Sequence, residues 1–260
     1  MANDARLAYL QARLQARHGD RPASDDWRIA ESSTDLSHYL DALRRTALRR
    51  WIGDINHEMA PEAIERQLRA AWRDAVDPIA SWAPEDWREA VEWLRWLPEL
   101  PSIEHLMRGA KVPPWMRADP VLRELAFDEP HRRREALAAL PLAPVQPDES
   151  QPAPRIVDAW IAEWRRRLPP GGSDTRDELG QVLETVRAHV EAMRASEDTD
   201  GIALRNALAA RLARRFRRGA GTPIALFAHL LLDGLELERV RAGIMTRRLM
   251  PARAEGRSWA

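Results

Sequence analysis

The segment that most constrains the fold runs from Thr222 to Met250, TPIALFAHLLLDGLELERVRAGIMTRRLM. Thr222 is a suitable N-cap, because its side-chain oxygen can accept a free N–H of the first turn, and Pro223 suits the first helical position. An apolar stripe follows at helical spacing, formed by Ile224, Phe227, Leu231, Leu235 and Ala242. The segment therefore predicts one helix of about 29 residues, roughly 40 Å long, that spans the molecule.

The second half of this segment carries a ladder of acids and arginines, formed by Glu236, Glu238, Arg239, Arg241, Arg247 and Arg248. Glu236 lies three residues before Arg239, and Glu238 lies three residues before Arg241. Both spacings place the two side chains next to each other on a helix surface, where such a pair contributes ~0.2–0.5 kcal/mol. We therefore predict these two ion pairs.

The rest of the chain is built from the same residue types. Alanine, leucine, arginine and glutamate dominate and favour helices, whereas alternating β-branched patterns are rare. We therefore predict an all-α fold, a multi-helix bundle; the resemblance described below implies that the bundle is made of related helical segments.

Composition also excludes several classes of protein. Forty basic residues balance forty acidic ones, so the charge gives no reason to expect nucleic-acid binding. The sequence has no cysteine, which excludes disulfides, thiol catalysis and cysteine–zinc sites. Apolar runs are too short for a membrane span, and the charged N-terminus is unlike a signal peptide. We expect a cytoplasmic protein.

Capping residues and prolines predict where the other helices begin and end. A first helix over residues 4–18 ends at Gly19, and a longer one runs unbroken from Thr34 to Ile52. The next begins at Pro61 and is closed by Pro78, and another begins at Pro84. Further helices are expected over 173–194 and 202–217.

A proline-rich segment over residues 141–154, PLAPVQPDESQPAP, is the best candidate for a linker. It separates a tryptophan-rich region over 1–140 from a second helical region over 155–260. The segment either marks a domain boundary or crosses the surface of one continuous helical body.

The motifs of common active sites are missing. His57 and Glu58 begin an HExxH pattern, but residue 61 is Pro61 and the second histidine is absent. The histidines show no metal-binding spacing, and no P-loop, dinucleotide-binding or serine-hydrolase motif occurs. We expect no catalytic residue, no metal and no cofactor, although an enzyme of unrecognised type stays an alternative.

Tryptophans and arginine clusters leave two interpretations open. The sequence has eleven tryptophans. Either these rings fill the core, or two of them, Trp93 and Trp96, are partly exposed and anchor a partner. The arginine clusters Arg132–Arg134 and 214–218 are explained by solvated helix ends, or else they contact phosphate or an acidic surface.

Two stretches resemble the C/d subunit family of V-type and A-type rotary ATPases. In that family a helix ending near a phenylalanine is followed by a break and a proline-started helix with an apolar stretch and then interleaved charges. The matching positions here are Phe216, Pro223, Phe227, Leu230, Glu236, Glu238, Arg239 and Arg241. The opening is also similar, with a first helix bearing Arg6, Tyr9, Arg13 and Arg17, then STDLSHYLDALRRTALRRWI and IERQLRAAW. The middle, residues 83–154, matches only loosely, and Arg239 replaces a commoner asparagine.

The resemblance implies a specific, non-catalytic role. Family members form a funnel or socket between the central stalk and the membrane proteolipid ring, and they transmit torque without chemistry of their own. We expect the same partners, a location on the cytoplasmic face of the membrane, and polar contacts that fix orientation. The expected partner-binding residues are Trp93, Trp96, Glu236, Glu238, Arg239, Arg241, Arg247 and Arg248. The alternative is a stand-alone helical scaffold that binds a partner through a tryptophan- and arginine-rich surface.

Overall fold

The computed structural model describes residues 2–146, 156–170, 173–195 and 201–249. The prediction of an all-α fold is confirmed: these residues form helices and connecting turns and no strand. The α-helices, numbered in chain order, are α1 (Ala2–Gly19), α2 (Ser24–Glu31), α3 (Leu36–Arg44), α4 (Arg49–Ile52), α5 (Pro61–Trp82), α6 (Glu85–Trp93), α7 (Leu100–Met107), α8 (Pro114–Ala118), α9 (Pro130–Ala139), α10 (Ile156–Arg166), α11 (Ser173–Ala195), α12 (Gly201–Arg218) and α13 (Pro223–Leu249). Short 3-10 helices cover Leu94–Glu99, Leu122–Leu125 and Ala143–Val145. In the described part of the chain, each helix is too short or too polar to cross a membrane.

The helices form two compact units. The first unit contains 1–84 and 170–260, and therefore joins the two ends of the chain, whereas the second contains 85–169. The boundaries between the two units, at 84/85 and 169/170, do not coincide with the predicted linker at 141–154. Residues 147–154 of that linker are outside the described residues, so its role stays a prediction.

Helix α13 is the central element of the first unit and packs against α1, α3, α5, α11 and α12. Its beginning is as predicted, since Pro223 is the first residue and the Thr222 hydroxyl accepts the Ile224 N–H at 3.3 Å. Every residue from Ile224 to Leu230 is buried, so this end of the helix is enclosed on all sides. Burying one leucine or isoleucine side chain contributes ~1.5–3 kcal/mol, and this burial makes α13 the core of the unit.

The buried face of α13 differs from the predicted stripe in its second half. Ala242 is exposed, whereas Val240 and Ile244 are buried. A close approach of α3 selects this face: a Cβ on Gly243 would lie 2.5 Å from the Tyr39 ring carbon Cζ. Only a glycine leaves room for this ring, and Tyr39 is fully buried.

Two of the predicted helix boundaries were wrong. The helix predicted to run from Thr34 to Ile52 is divided into α3, capped by Asp35, and α4. Thr46 stabilises the break, because its hydroxyl donates to the Leu43 carbonyl at 2.9 Å and accepts the Leu48 N–H at 3.1 Å. Local side-chain bonds of this kind compete with the helical ladder.

Helix α5 continues through Pro78 to Trp82, although this proline was expected to close it. Proline removes one backbone hydrogen bond within a helix. Ile79 and Ala80, which directly follow it, are buried, so tertiary packing maintains the last turn.

The second unit has its own core, in which Trp93 and Trp160 stack with ring centroids 6.3 Å apart. The indole N–H of Trp93 donates to the Trp160 carbonyl at 3.1 Å. Arg167 covers the Trp93 ring at 4.4 Å and pairs with the buried Glu163 at 2.8 Å. These contacts join α6 to α10.

Candidate functional site

Two buried carboxylates on α13, in the first unit, bind two arginines. Asp233 accepts from Arg21 Nη1 at 3.0 Å and from Arg50 Nη2 at 2.7 Å. Glu236 binds Arg21 Nη2 at 2.6 Å through Oε1 and Arg50 Nη2 at 2.6 Å through Oε2. The Asp233 side chain is completely buried and that of Glu236 is 6% exposed. We call these four residues the ion cluster.

Local structure explains how residues from three separate parts of the sequence meet. Asp233 and Glu236 are three residues apart on α13 and therefore share a face of the helix. Arg21 lies in the turn that follows α1 and also donates to the Leu232 carbonyl at 3.0 Å. Arg50 lies on α4, which exists as a separate short helix because of the break after α3. The ion cluster thus fixes the α1–α2 turn and α4 against α13.

Trp51, which follows Arg50, completes the cluster. Its indole N–H donates to Glu236 Oε2 at 3.3 Å, and the Arg50 guanidinium lies 4.5 Å from its ring centroid. Trp51 is fully buried. Glu236 therefore receives donors from two arginines and an indole.

The two carboxylates have opposite pKa shifts. Burial raises the pKa of Glu236 and the charge of Asp233 adds to this, while the arginines offset part of it. Burial acts in the same direction on Asp233, but the electrostatic interactions with His229, Arg50 and Arg21, together with the hydrogen bond from Arg50, outweigh burial, so that the pKa of Asp233 lies below its ordinary value. Burial lowers the pKa of Arg50, and the two carboxylates more than compensate, so that its pKa is raised. Of the two carboxylates, Asp233 is therefore the one whose surroundings favour the charged form.

His229 lies one turn before Asp233 and is also completely buried. Its Nε2 lies 3.5 Å from Asp233 Oδ2, and neither ring nitrogen makes a hydrogen bond. Burial lowers its pKa to about 4; Asp233 opposes this shift, and the arginines nearby add to it. The imidazole is therefore neutral at pH 7.

A cavity of about 680 Å³ opens beside the ion cluster. It is lined by Arg17, Asp20, Arg21, Pro22, Arg45, Thr46, Ala47, Arg49, Arg50, Trp51, Ala71, Asp74 and Ala75. Five of these residues are arginines, contributed by α1, the turn after it, the α3–α4 break and α4. Among the described residues, no group of three or more His, Cys, Asp or Glu side chains is arranged to hold a metal ion.

The tryptophans predicted as partner anchors have different environments. Trp93 is 2% exposed, so its ring belongs to the core and the prediction of a partly exposed anchor was wrong for this residue. Trp96 is half-buried and lines an apolar cavity of about 240 Å³ in the second unit, together with Ile103 and Leu125. For Trp96, a role in partner binding stays a prediction.

One of the two ion pairs predicted for α13 forms. Arg241 pairs with Glu238 at 2.5 Å, and also with Glu65 of α5 at 3.1 Å. The prediction of a pair between Glu236 and Arg239 was wrong, because the Glu236 side chain belongs to the ion cluster. Arg239 instead binds Glu31 of α2 through two bonds of 2.6 and 2.7 Å.

The last arginines of the ladder also make contacts within the chain. Arg247 donates to the carbonyls of Ser33 and Glu31 at 2.8 and 2.9 Å, and Arg248 donates to that of His57 at 2.6 Å. Much of the ladder therefore fastens α13 to the first helices of the chain. Glu238 keeps a largely exposed side chain, and partner binding by the ladder stays a prediction.

The predicted arginine clusters also differ from one another. Arg133 is buried, and its guanidinium donates to the carbonyls of Phe127, Leu106 and Asp128 at 2.5, 2.6 and 3.2 Å. It ties α9 to α7 and is no surface cation. The C-terminal cluster of α12 is at the surface, where Arg214, Arg215 and Arg218 line a cleft of about 530 Å³.

Sequence reasoning missed Asp233, His229, Arg21 and Arg50. Asp233 carried a signal, since an acid inside the most apolar part of a helix needs a positive partner when it is buried. The partners had no signal, because Arg21 is 212 residues and Arg50 183 residues from Asp233 along the chain. Many of the chain's other arginines were equally plausible.

Comparisons of the chain with protein-family models, with curated proteins and with solved structures found no match.

Proposed function

We propose that the chain is a non-catalytic coupling subunit of a V-type or A-type rotary ATPase, placed between the central stalk and the membrane proteolipid ring. The proposal starts from the sequence resemblance of the two chain ends to the C/d family. The observation that supports it is the division of the fold. The opening and terminal stretches that carry the resemblance belong to one compact unit, and the described residues of the loosely matching middle, 83–146, lie almost entirely in the other.

The contacts within that unit agree with the proposal. α13 is the terminal proline-started helix of the resemblance, and the opening helices α1, α3 and α5 pack directly on it. Glu236, one of the matching positions, binds arginines from the opening part of the chain. A family resemblance that covers both ends of the chain is then expected, because both ends belong to the same compact unit.

The role requires a body that does not deform when force passes through it. Close-packed helical interiors have low compressibility, and the ion cluster fixes α13 in register with its neighbours through charged hydrogen bonds, which are the stronger kind. The first unit therefore has the stiffness that a torque-transmitting part needs.

The test is association in the native cell. The tagged full-length chain is recovered from native membranes after mild cross-linking, and the proteins bound to it are identified by mass spectrometry. We expect stalk and proteolipid-ring subunits of a rotary ATPase, and no ATPase activity from the purified chain alone. Recovery of neither component would overturn the proposal.

A charge reversal gives a matched comparison. Glu238→Arg changes an exposed ladder residue on α13, whereas Asp54→Arg changes an exposed acid outside the ladder. We expect the first variant to recover fewer ATPase subunits and the second to behave as the parent chain. If another protein were recovered and its binding depended on Trp96, the scaffold alternative would replace the rotary one.

A further inference from the structure

The arginine-lined cavity of the first unit has no assigned role, and the geometry points to a binding site for a phosphate monoester. This inference goes beyond the coupling function and does not rest on it. A coupling subunit needs no ligand, and an adaptor protein with the same cavity would bind the same phosphate monoester.

Two guanidiniums that line the cavity have no partner among the described residues. The side chains of Arg45 and Arg49 are exposed and make no ion pair or hydrogen bond with another described residue. Arg17 makes one long bond to the Ala75 carbonyl, at 3.4 Å, and has no carboxylate partner within bonding distance. Guanidinium groups bind phosphate oxygens through paired, charge-assisted hydrogen bonds. Three such groups therefore line the cavity with donors to spare.

Arg21 and Arg50 are positioned by carboxylates behind the wall of the cavity. Arg21 and Arg50 are held by Asp233 and Glu236, which do not line the cavity. The Arg50 side chain remains 31% exposed and that of Arg21 16% exposed. A guanidinium has five N–H donors in a fixed fork, so both can bind the inner carboxylates and still present an edge to the cavity.

The charge balance of the cavity favours an anion and also limits the charge of that ligand. Asp20 and Asp74 line the cavity without ion partners, and the ion cluster adds two carboxylates behind it. Five guanidiniums against four carboxylates leave an excess of one positive charge. This balance favours one phosphate group and disfavours a polyphosphate chain.

The electrostatics around Arg17 favour an anion in the cavity. Burial lowers the pKa of Arg17; Asp233 partly offsets this, and repulsion from Arg50 and Arg13 lowers it further. The Arg17 Cζ lies 4.6 Å from the ring centroid of Trp82, and this cation–π contact partly offsets the repulsion between the guanidiniums. A phosphate bound beside Arg17 would relieve the repulsion.

The size of the cavity indicates an organic ligand. The cavity is larger than an inorganic phosphate needs, and 300–1,000 Å³ is the usual range for organic ligands. Beside the arginines it has a less polar wall formed by Pro22, Ala47, Ala71 and Ala75. The expected ligand therefore joins one phosphate to an organic body of moderate size, such as a nucleoside or a sugar.

Calorimetric titration of the purified full chain tests the inference. The probes are adenosine 5′-monophosphate, ribose 5-phosphate, inorganic phosphate and adenosine. We expect both monoesters to bind with 1:1 stoichiometry, inorganic phosphate to bind more weakly and compete with them, and adenosine not to bind.

Matched variants locate the site. The double variant Arg45→Gln with Arg49→Gln removes the two free guanidiniums, and we expect at least about ten-fold weaker binding of the monoesters. Arg66→Gln removes an exposed arginine of α5 outside the cavity and should leave binding unchanged. Because all three positions are exposed, circular dichroism should show parent-like folding for both variants.

Three outcomes would overturn the inference. The first is no heat of binding for either monoester at low salt. The second is equal loss of binding in the Arg66→Gln variant, which would indicate general attraction to positive charge. The third is binding of an acidic peptide, such as a glutamate hexamer, that the monoesters do not displace. The last result would assign the cavity to an acidic protein segment instead.

Discussion

Replacing Asp233 by asparagine is the sharpest test of the ion cluster. The substitution keeps the shape of the side chain and removes its charge, so that Arg21 and Arg50 share Glu236 alone. Asp233 now accepts from both arginines at 3.0 and 2.7 Å while completely buried. The variant therefore loses charge-assisted bonds without creating a cavity.

The size of the effect follows from burial and from the partners that remain. Removing one partner of a buried ion pair costs about 3–5 kcal/mol. Arg21 and Arg50 are 16% and 31% exposed and keep Glu236, which places this case at about 3 kcal/mol. For a unit of this size each kcal/mol corresponds to about 2–4 °C, so the melting temperature should fall by about 6–12 °C.

The measurement is thermal and urea unfolding at pH 7, followed by circular dichroism. Asp54→Asn is the matched control, because Asp54 is an exposed acid of the same unit. A double-mutant cycle with Arg21→Gln then isolates the coupling, and the combined variant should lose less than the two single losses added together. An Asp233→Asn variant as stable as Asp54→Asn would refute the view that this cluster holds α1 and α4 against α13.

Three further predictions concern other buried groups. Gly243→Ala should destabilise the fold by about 1–3 kcal/mol, because the added Cβ would overlap the Tyr39 ring. The control Gly180→Ala, on α11, adds a Cβ that meets no atom within 4 Å and should stabilise the fold slightly. Urea unfolding measures both variants. His229→Met should flatten the pH dependence of the unfolding free energy between pH 4 and 6.5. The folded-state pKa of about 4 lies below the ordinary 6.5, so the unfolded state binds more protons in this window, and stability is complete above it and is lost as the pH falls. Arg133→Lys should lower the melting temperature, because one ammonium cannot reach the three carbonyls that the guanidinium binds.

Each of these predictions has a result that contradicts it. Gly243→Ala as stable as the parent would mean that Tyr39 does not lie against α13. An unchanged pH profile in His229→Met, matching that of the exposed control His57→Gln, would show that the imidazole does not titrate with folding. Arg165→Lys, an exposed arginine of the second unit, should have no effect, and an equal loss there would remove the special role of Arg133.

The sequence by itself determined the class of the fold and several helix ends. Helix-forming composition and apolar spacing act within a few residues, so the all-α class, the beginning of α13 at Pro223 and the end of α1 at Gly19 could be predicted. The same local rules predicted the Glu238–Arg241 pair, whose partners are one helical turn apart.

Only the tertiary structure decided which charges are buried and which aromatic rings are available. Glu236 has Arg239 nearby on its own helix, yet it binds Arg21 and Arg50, because a carboxylate taken out of water needs more donors than one surface neighbour supplies. The sequence left open whether Trp93 lies in the core or at the surface, and in the structure its stacking on Trp160 places it in the core. Contacts between distant parts of the chain therefore selected the ion cluster and its cavity, and short-range sequence patterns carry no record of such contacts.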